Sequence, residues 1–171
     1  MAASCPRRRR SALSLVELLI VLAILSILLA LGLAAVPLMR QSAKRTQCAN
    51  NLHQLGMAFQ MYQLNSQGRL PVAARLPSVT PEQPSIAQAL AKYTESPDIF
   101  RCPCDTKYYP SEGVSYEYPG EFRSDVTLEQ LRAQGRSSAR IWLLHDFDPV
   151  HGQPFARGSR NFLYADGHVS P

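Results

Sequence analysis

A chain of 171 residues has room for one membrane segment and one small globular domain of about 100 residues, and excludes a multidomain architecture. Its formal charge of +5 suggests a basic protein, but Arg7, Arg8, Arg9 and Arg10 hold four of the eighteen Lys and Arg, leaving fourteen against thirteen Asp and Glu. No basic stripe with interleaved aromatics remains, which argues against nucleic-acid binding.

The four arginines stand directly before an apolar run that begins at Leu13. From Leu18 to Val36 nineteen residues pass without a charge; as a helix they span roughly 28 Å, close to the hydrocarbon core of a bilayer. Arginines on one flank are a topology signal, keeping the N-terminus cytoplasmic and sending the rest outward. Glu17 interrupts the run near its start, where an ionised carboxylate costs at least a few kcal/mol unless it finds a partner.

Pro37 removes a main-chain donor and predicts a kink. Helical character then resumes over Leu38–Leu64, where Cys48, Leu52, Leu55, Phe59 and Tyr62 form one apolar stripe that predicts packing on the domain's own core. Arg40, Lys44 and Arg45 lie just past the membrane end, solvated or meeting lipid headgroups. Asn65-Ser66-Gln67-Gly68 supplies the stop. The expectation is a leader over residues 1–12, a transmembrane helix over 13–36, the soluble half of the same kinked helix over 37–68, and a globular head over 69–171.

Within the head, Pro71, Pro77 and Pro81 mark an extended connection over Arg69–Gln83. Ser85–Tyr93 reads as a short helix with Pro84 near its start, and Ser96–Tyr109 as a loop pinned by a cysteine. Val114–Tyr118 alternates as a strand before Pro119-Gly120. Thr127-Leu-Glu-Gln is a capping-box pattern, predicting a helix over Thr127–Gln134 that ends at Gly135. Ile141–Leu144 reads as a buried strand, and Asn161–Ala165 with His168–Val169 as a hairpin around a two-residue Asp166-Gly167 turn. A long helix laid on a small antiparallel sheet is an α+β arrangement.

The cysteines are Cys5, in the leader, and Cys48, Cys102 and Cys104. In an oxidising compartment three cysteines predict one disulfide and one free thiol. Cys102-Pro103-Cys104 is too tight to close on itself easily, so Cys48 pairs with Cys102 or with Cys104. A zinc site is the rival reading, and it lacks a convincing fourth ligand near these three cysteines in sequence.

Three readings compete for the N-terminal stretch. A secretory signal peptide has a shorter apolar region without an acidic interruption, although Gly32-Leu33-Ala34 has a small-x-small pattern. A plain membrane anchor explains the length and leaves Glu17 without purpose. Cleavage just before Leu13 supplies the partner: the new α-amino group would lie at the same membrane depth, and a neighbouring subunit's amine could pair with Glu17.

The residues from Ser11, Ser-Ala-Leu-Ser-Leu-Val-Glu-Leu-Leu-Ile-Val-Leu, resemble the type IV prepilin signature: a basic leader, a small residue, an apolar residue, a hydroxyl residue, Leu, Val or Ile, and Glu. The resemblance implies cleavage between Ala12 and Leu13 by prepilin peptidase, N-methylation of Leu13, and neutralisation of a neighbour's N-terminus by Glu17 during assembly. Most members have Gly before the cut and Phe after it, where this chain has Ala12 and Leu13. Arg45–Tyr62, Phe100–Asp105 and Asn161–Val169 are similar to bacterial pseudopilin-like proteins with an H-X9-DG C-terminal domain, related to the major pseudopilins of type II secretion. The histidine of that pattern falls at position 156, which is Ala156; His151 lies nearby but out of register.

What the resemblance implies is a pilin-like α+β subunit of a type II secretion pseudopilus or type IV pilus-like filament. It would be held in the bacterial inner membrane by one pass, with its head in the periplasm or on an extracellular filament. Its partners would be prepilin peptidase, identical or related subunits, the assembly machinery and the lipid bilayer. Major pseudopilins hold calcium in a C-terminal loop, which makes Asp146, Asp148 and Asp166 candidate ligands for a structural ion; no other cofactor is implied. An enzyme reading would use His145, Asp146, Asp148, His151, Asp166 and His168, yet no nucleophile elbow, phosphate loop or zinc-protease pattern accompanies them. The alternative of a different class is an exported or membrane-anchored binding module that uses the N-terminal segment only for targeting.

Overall fold

The computed structural model describes residues 14–151 and 158–171. Helix α1 covers Leu15–Asn65, and Pro37 lies inside it with helical backbone on both sides. Contacts divide the chain after Arg40 into two compact units. In the first, the large apolar side chains from Leu15 to Leu33 are all exposed, Leu15 at 78% and Leu33 at 63%. The helix is long and apolar enough to cross a membrane, and from Leu15 to Leu33 none of the described residues covers its large apolar side chains.

The second unit is built around the later turns of α1. The stripe falls as its spacing requires: Cys48, Leu52, Leu55 and Phe59 are fully buried, and Tyr62 packs at the margin against Tyr93. Each fully buried leucine or phenylalanine contributes about 1.5–3 kcal/mol relative to exposure. Gly56 sits where a Cβ would stand 3.0 Å from a Leu163 methyl carbon, so its bareness lets sheet and helix approach closely.

The sheet has four short strands, β1 (Tyr116–Glu117), β2 (Trp142–Asp146), β3 (Phe162–Tyr164) and β4 (Val169–Ser170), in sequential order and antiparallel throughout. An irregularity between Trp142 and Leu144 shifts the β2–β3 register, and Leu143 and Leu144 are both buried. Tyr116, Tyr118, Leu144 and Leu163 join Leu52, Leu55 and Phe59 in one core. The whole is an α+β, pilin-like fold: a long N-terminal helix with a small antiparallel sheet.

Helix α2 (Ile86–Leu90) continues as a 3-10 turn over Ala91–Tyr93, and α5 (Leu128–Ala133) begins at Thr127; both start with complete capping boxes, from Ser85 with Gln88 and from Thr127 with Gln130. Two helices were hidden in the sequence. The region read as a loop over Ser96–Tyr109 contains a 3-10 turn at Pro97–Phe100, and α3 (Tyr108–Glu112) begins before that region ends. Helix α4 (Gly120–Arg123) follows Pro119 directly. These elements are too short to show helical periodicity.

The hairpin between β3 and β4 is real, but its turn differs from the expected one. A two-residue type I′ turn needs positive φ at both central residues; here Gly167 has φ 90°, and Asp166 is not among the residues with positive φ. Tyr164 N–H donates to the His168 carbonyl at 2.9 Å and Gly167 N–H to the Tyr164 carbonyl at 2.9 Å. Ala165, Asp166 and Gly167 therefore make a three-residue loop closed by a left-handed glycine.

Candidate functional site

Glu17 lies in the first turn of α1, where unpaired N–H groups favour a carboxylate. Among the described residues it has no ion-pair partner. The processing pair Ala12–Leu13 and the arginine run at 7–10 lie outside the described residues, as does Ala156.

In the head the cysteines converge. Cys48 on α1 is bonded to Cys102, which decides between the two pairings that spacing left open. Cys102–Asp105 forms a tight turn through Pro103, with Asp105 N–H donating to the Cys102 carbonyl at 2.9 Å. One turn along α1 from Cys48, Asn51 donates its amide to the Arg101 carbonyl at 2.8 Å. Asp105 accepts from the Lys107, Tyr108 and Tyr109 N–H groups, each at 2.9 Å, and so starts α3.

Cys104 is the free thiol among the described residues, half-buried. Burial pushes it up from its ordinary value, with Asp146 acting in the same sense and Lys44 and Arg45 opposing; at neutral pH it is a protonated, weakly nucleophilic thiol. His151 completes a group with Cys48, Cys102 and Cys104, whose donor atoms all lie within 4.8 Å of one another. This histidine was the fourth donor missing from the sequence reading; nothing in spacing alone joins position 151 to the cysteines. The disulfide uses two of the four donors, and Cys104 and His151 stand beside the bonded pair.

His151 also meets Asp146, with Nε2 at 3.2 Å from Oδ2, both side chains almost fully buried. Asp146 Oδ2 accepts the Asn161 N–H at 2.7 Å, so the end of β2 is tied to the start of β3. His151 Nδ1 and Asp146 Oδ1 have no partner among the described residues. The three aspartates proposed for calcium are engaged separately. Asp146 is in the interior, Asp148 meets Lys107 and the Tyr108 hydroxyl at the surface, and Asp166 is bound to His168. Among the described residues they form no common group close enough to share an ion, the cysteine–histidine group being the one that does. His145 is likewise apart: it faces Glu117 at 3.8 Å.

Among the described residues, an exposed apolar helix with one carboxylate in its first turn leads into a head clamped by a disulfide, an arrangement that fits a prepilin-like chain. The comparison with protein families agrees. Residues 7–33 match the prokaryotic N-terminal methylation motif, and residues 38–81 match the family described as protein of unknown function DUF1559. No curated protein and no solved structure matches this chain. The methylation motif marks a substrate of prepilin-type processing and implies assembly with other pilin-like chains, and the apolar helix fits membrane anchoring.

Proposed function

We propose that the protein is a structural subunit of a type II secretion pseudopilus or type IV pilus-like filament. Prepilin peptidase cuts between Ala12 and Leu13, Leu13 is N-methylated, and the chain leaves the inner membrane for a helical assembly. The observation that carries the reading is Glu17, a carboxylate in the first turn of a helix whose next nineteen residues, Leu18 to Val36, carry no charge. A lone charge at that depth is costly, and a neighbouring subunit's α-amino group is a cation at matching height. The contact is heterologous and does not close on itself, as filament growth requires. The work is mechanical and not catalytic: apolar helices bundle in the core, and heads cover it from the periplasmic or extracellular side. Loss of main-chain pairing around Pro37 in the assembled state fits the missing donor there.

Mass spectrometry of the N-terminus tests processing directly. The expected mature chain begins at methylated Leu13; an intact Met1, or a start near Ala35, overturns the reading in favour of a tethered or secreted binding module. Glu17→Ala should still insert into the membrane but fail to assemble, and normal assembly of that variant would refute the pairing.

A further inference from the structure

We propose that the head binds a small organic carboxylate in a cavity walled by β2, α4 and the end of α5. This is independent of filament assembly. The cavity has a volume of about 650 Å³, within the 300–1,000 Å³ usual for small-ligand sites. Four guanidiniums line it, from Arg75, Arg123, Arg136 and Arg160, against the single carboxylate of Glu117. Arg75 takes that carboxylate at 2.6 Å, which leaves three cations over.

Arg123 is the central one. It is only 6% exposed, its guanidinium lies 4.6 Å from the centre of the Trp142 ring, and its Nη1 has no hydrogen-bond partner among the described residues. A buried charge held against an aromatic face with an unused donor is costly to leave unpaired. Neither Arg136 nor Arg160 has an ion-pair partner among the described residues. The segments outside the described residues contain no Asp or Glu and so hold no side-chain carboxylate for an ion pair. A guanidinium offers paired, parallel donors that match the two oxygens of a carboxylate.

The rest of the wall selects the body of the ligand. Phe122, Leu131 and Ile141 contribute apolar surface to the same cavity, and Phe122 is 76% exposed among the described residues. An anion with a hydrocarbon body would cover that ring while its carboxylate meets the arginines. Inorganic phosphate or sulfate would satisfy the charge and leave the apolar wall bare.

Trp142 is the single tryptophan of the chain, so its fluorescence reports the cavity without a label. The full-length protein in detergent is titrated with sodium hexanoate, hexanamide and sodium phosphate at constant ionic strength. Hexanoate should give a saturable change, hexanamide none, and phosphate binding weaker by roughly tenfold or more. Combining Arg136→Gln with Arg160→Gln should weaken hexanoate by roughly tenfold or more, the scale of losing charge-assisted hydrogen bonds. Arg136 is exposed and Arg160 half-buried, so the double variant should fold, and an unchanged thermal melt confirms it; Phe122→Ala, at an exposed ring, is a second variant that should weaken hexanoate but not phosphate. A hexanoate response no different from that of hexanamide, a double variant that binds normally, or phosphate binding as tightly as hexanoate overturns the proposal.

Discussion

Cys48 on α1 is bonded to Cys102 across a separation of 54 residues, and so joins the long helix covalently to the turn that opens α3. Closing a loop of that length restricts the unfolded chain by roughly 4 kcal/mol in the chain-entropy account. Replacing both cysteines by serine should therefore lower head stability by about 2–4 kcal/mol, read as a lower urea midpoint for the full chain in detergent. A loss below about 1 kcal/mol would mean that the core holds the helix without the clamp. Asn51 still donates to the Arg101 carbonyl in that variant, so local placement of the turn should survive partly.

Asp105 holds three main-chain N–H groups at the start of α3. Asp105→Ala leaves them without that acceptor and should cost about 2 kcal/mol. Because Tyr108 on α3 stacks on Phe147 at 4.7 Å, loosening of α3 should appear in near-ultraviolet circular dichroism. An unchanged melt and spectrum would show that solvent replaces the carboxylate fully.

Gly120 tolerates no side chain. A Cβ there would overlap the Ala73 carbonyl oxygen, which is main chain and cannot swing aside. The neighbouring segment is further held by the Tyr118 hydroxyl donating to the Pro71 carbonyl at 2.8 Å. Gly120→Ala should destabilise by about 1–3 kcal/mol through forced backbone displacement. Thermal melting checks it, and a neutral result would show that the segment around Ala73 shifts freely.

His145 ties stability to pH. Burial pulls it below its ordinary value; the Asp146 carbonyl and the Glu117 and Asp146 charges oppose that shift, while Arg160 adds to it. The unfolded chain therefore binds the proton first as pH falls. This contribution is fully present above about pH 6.5 and is lost progressively below it, down to the folded-state value. The melting temperature of wild type should fall more steeply below about pH 6.5 than that of His145→Gln. Parallel profiles for the two proteins would assign the acid sensitivity to other groups.

Much of the fold was readable because its largest element carries its own pattern. The stripe from Cys48 to Tyr62 repeats with helical spacing and lies on the core as that spacing demands. Thr127 announces its helix through reciprocal hydrogen bonds with Gln130, three positions away, whereas the matching box at Ser85 emerges only in the structure. Helices α3 and α4 were not readable. Their few residues show no period, and α3 depends on Asp105, which looks like any loop aspartate until its three N–H partners are in place. The Asp166-Gly167 turn was seen as a turn, but its type depends on how β3 and β4 register, which the dipeptide does not encode.

The N-terminal stretch as far as Val36 is a matter of local chemistry. Hydropathy, the arginine run and the single carboxylate of Glu17 act over a few consecutive residues, so the sequence by itself determined an uncovered apolar helix and a prepilin-type start. The head is different because its sites are assembled from distant positions. Only packing decided that Cys48 bonds Cys102 and not Cys104, that His151 lies beside them, and that the three aspartates proposed for calcium stay apart. Arg123 on α4 and Arg75, Arg136 and Arg160 on connecting segments likewise share a cavity only because the fold brings these distant positions together. Through-space contacts between residues tens of positions apart are set by the tertiary fold, and no local pattern carries them.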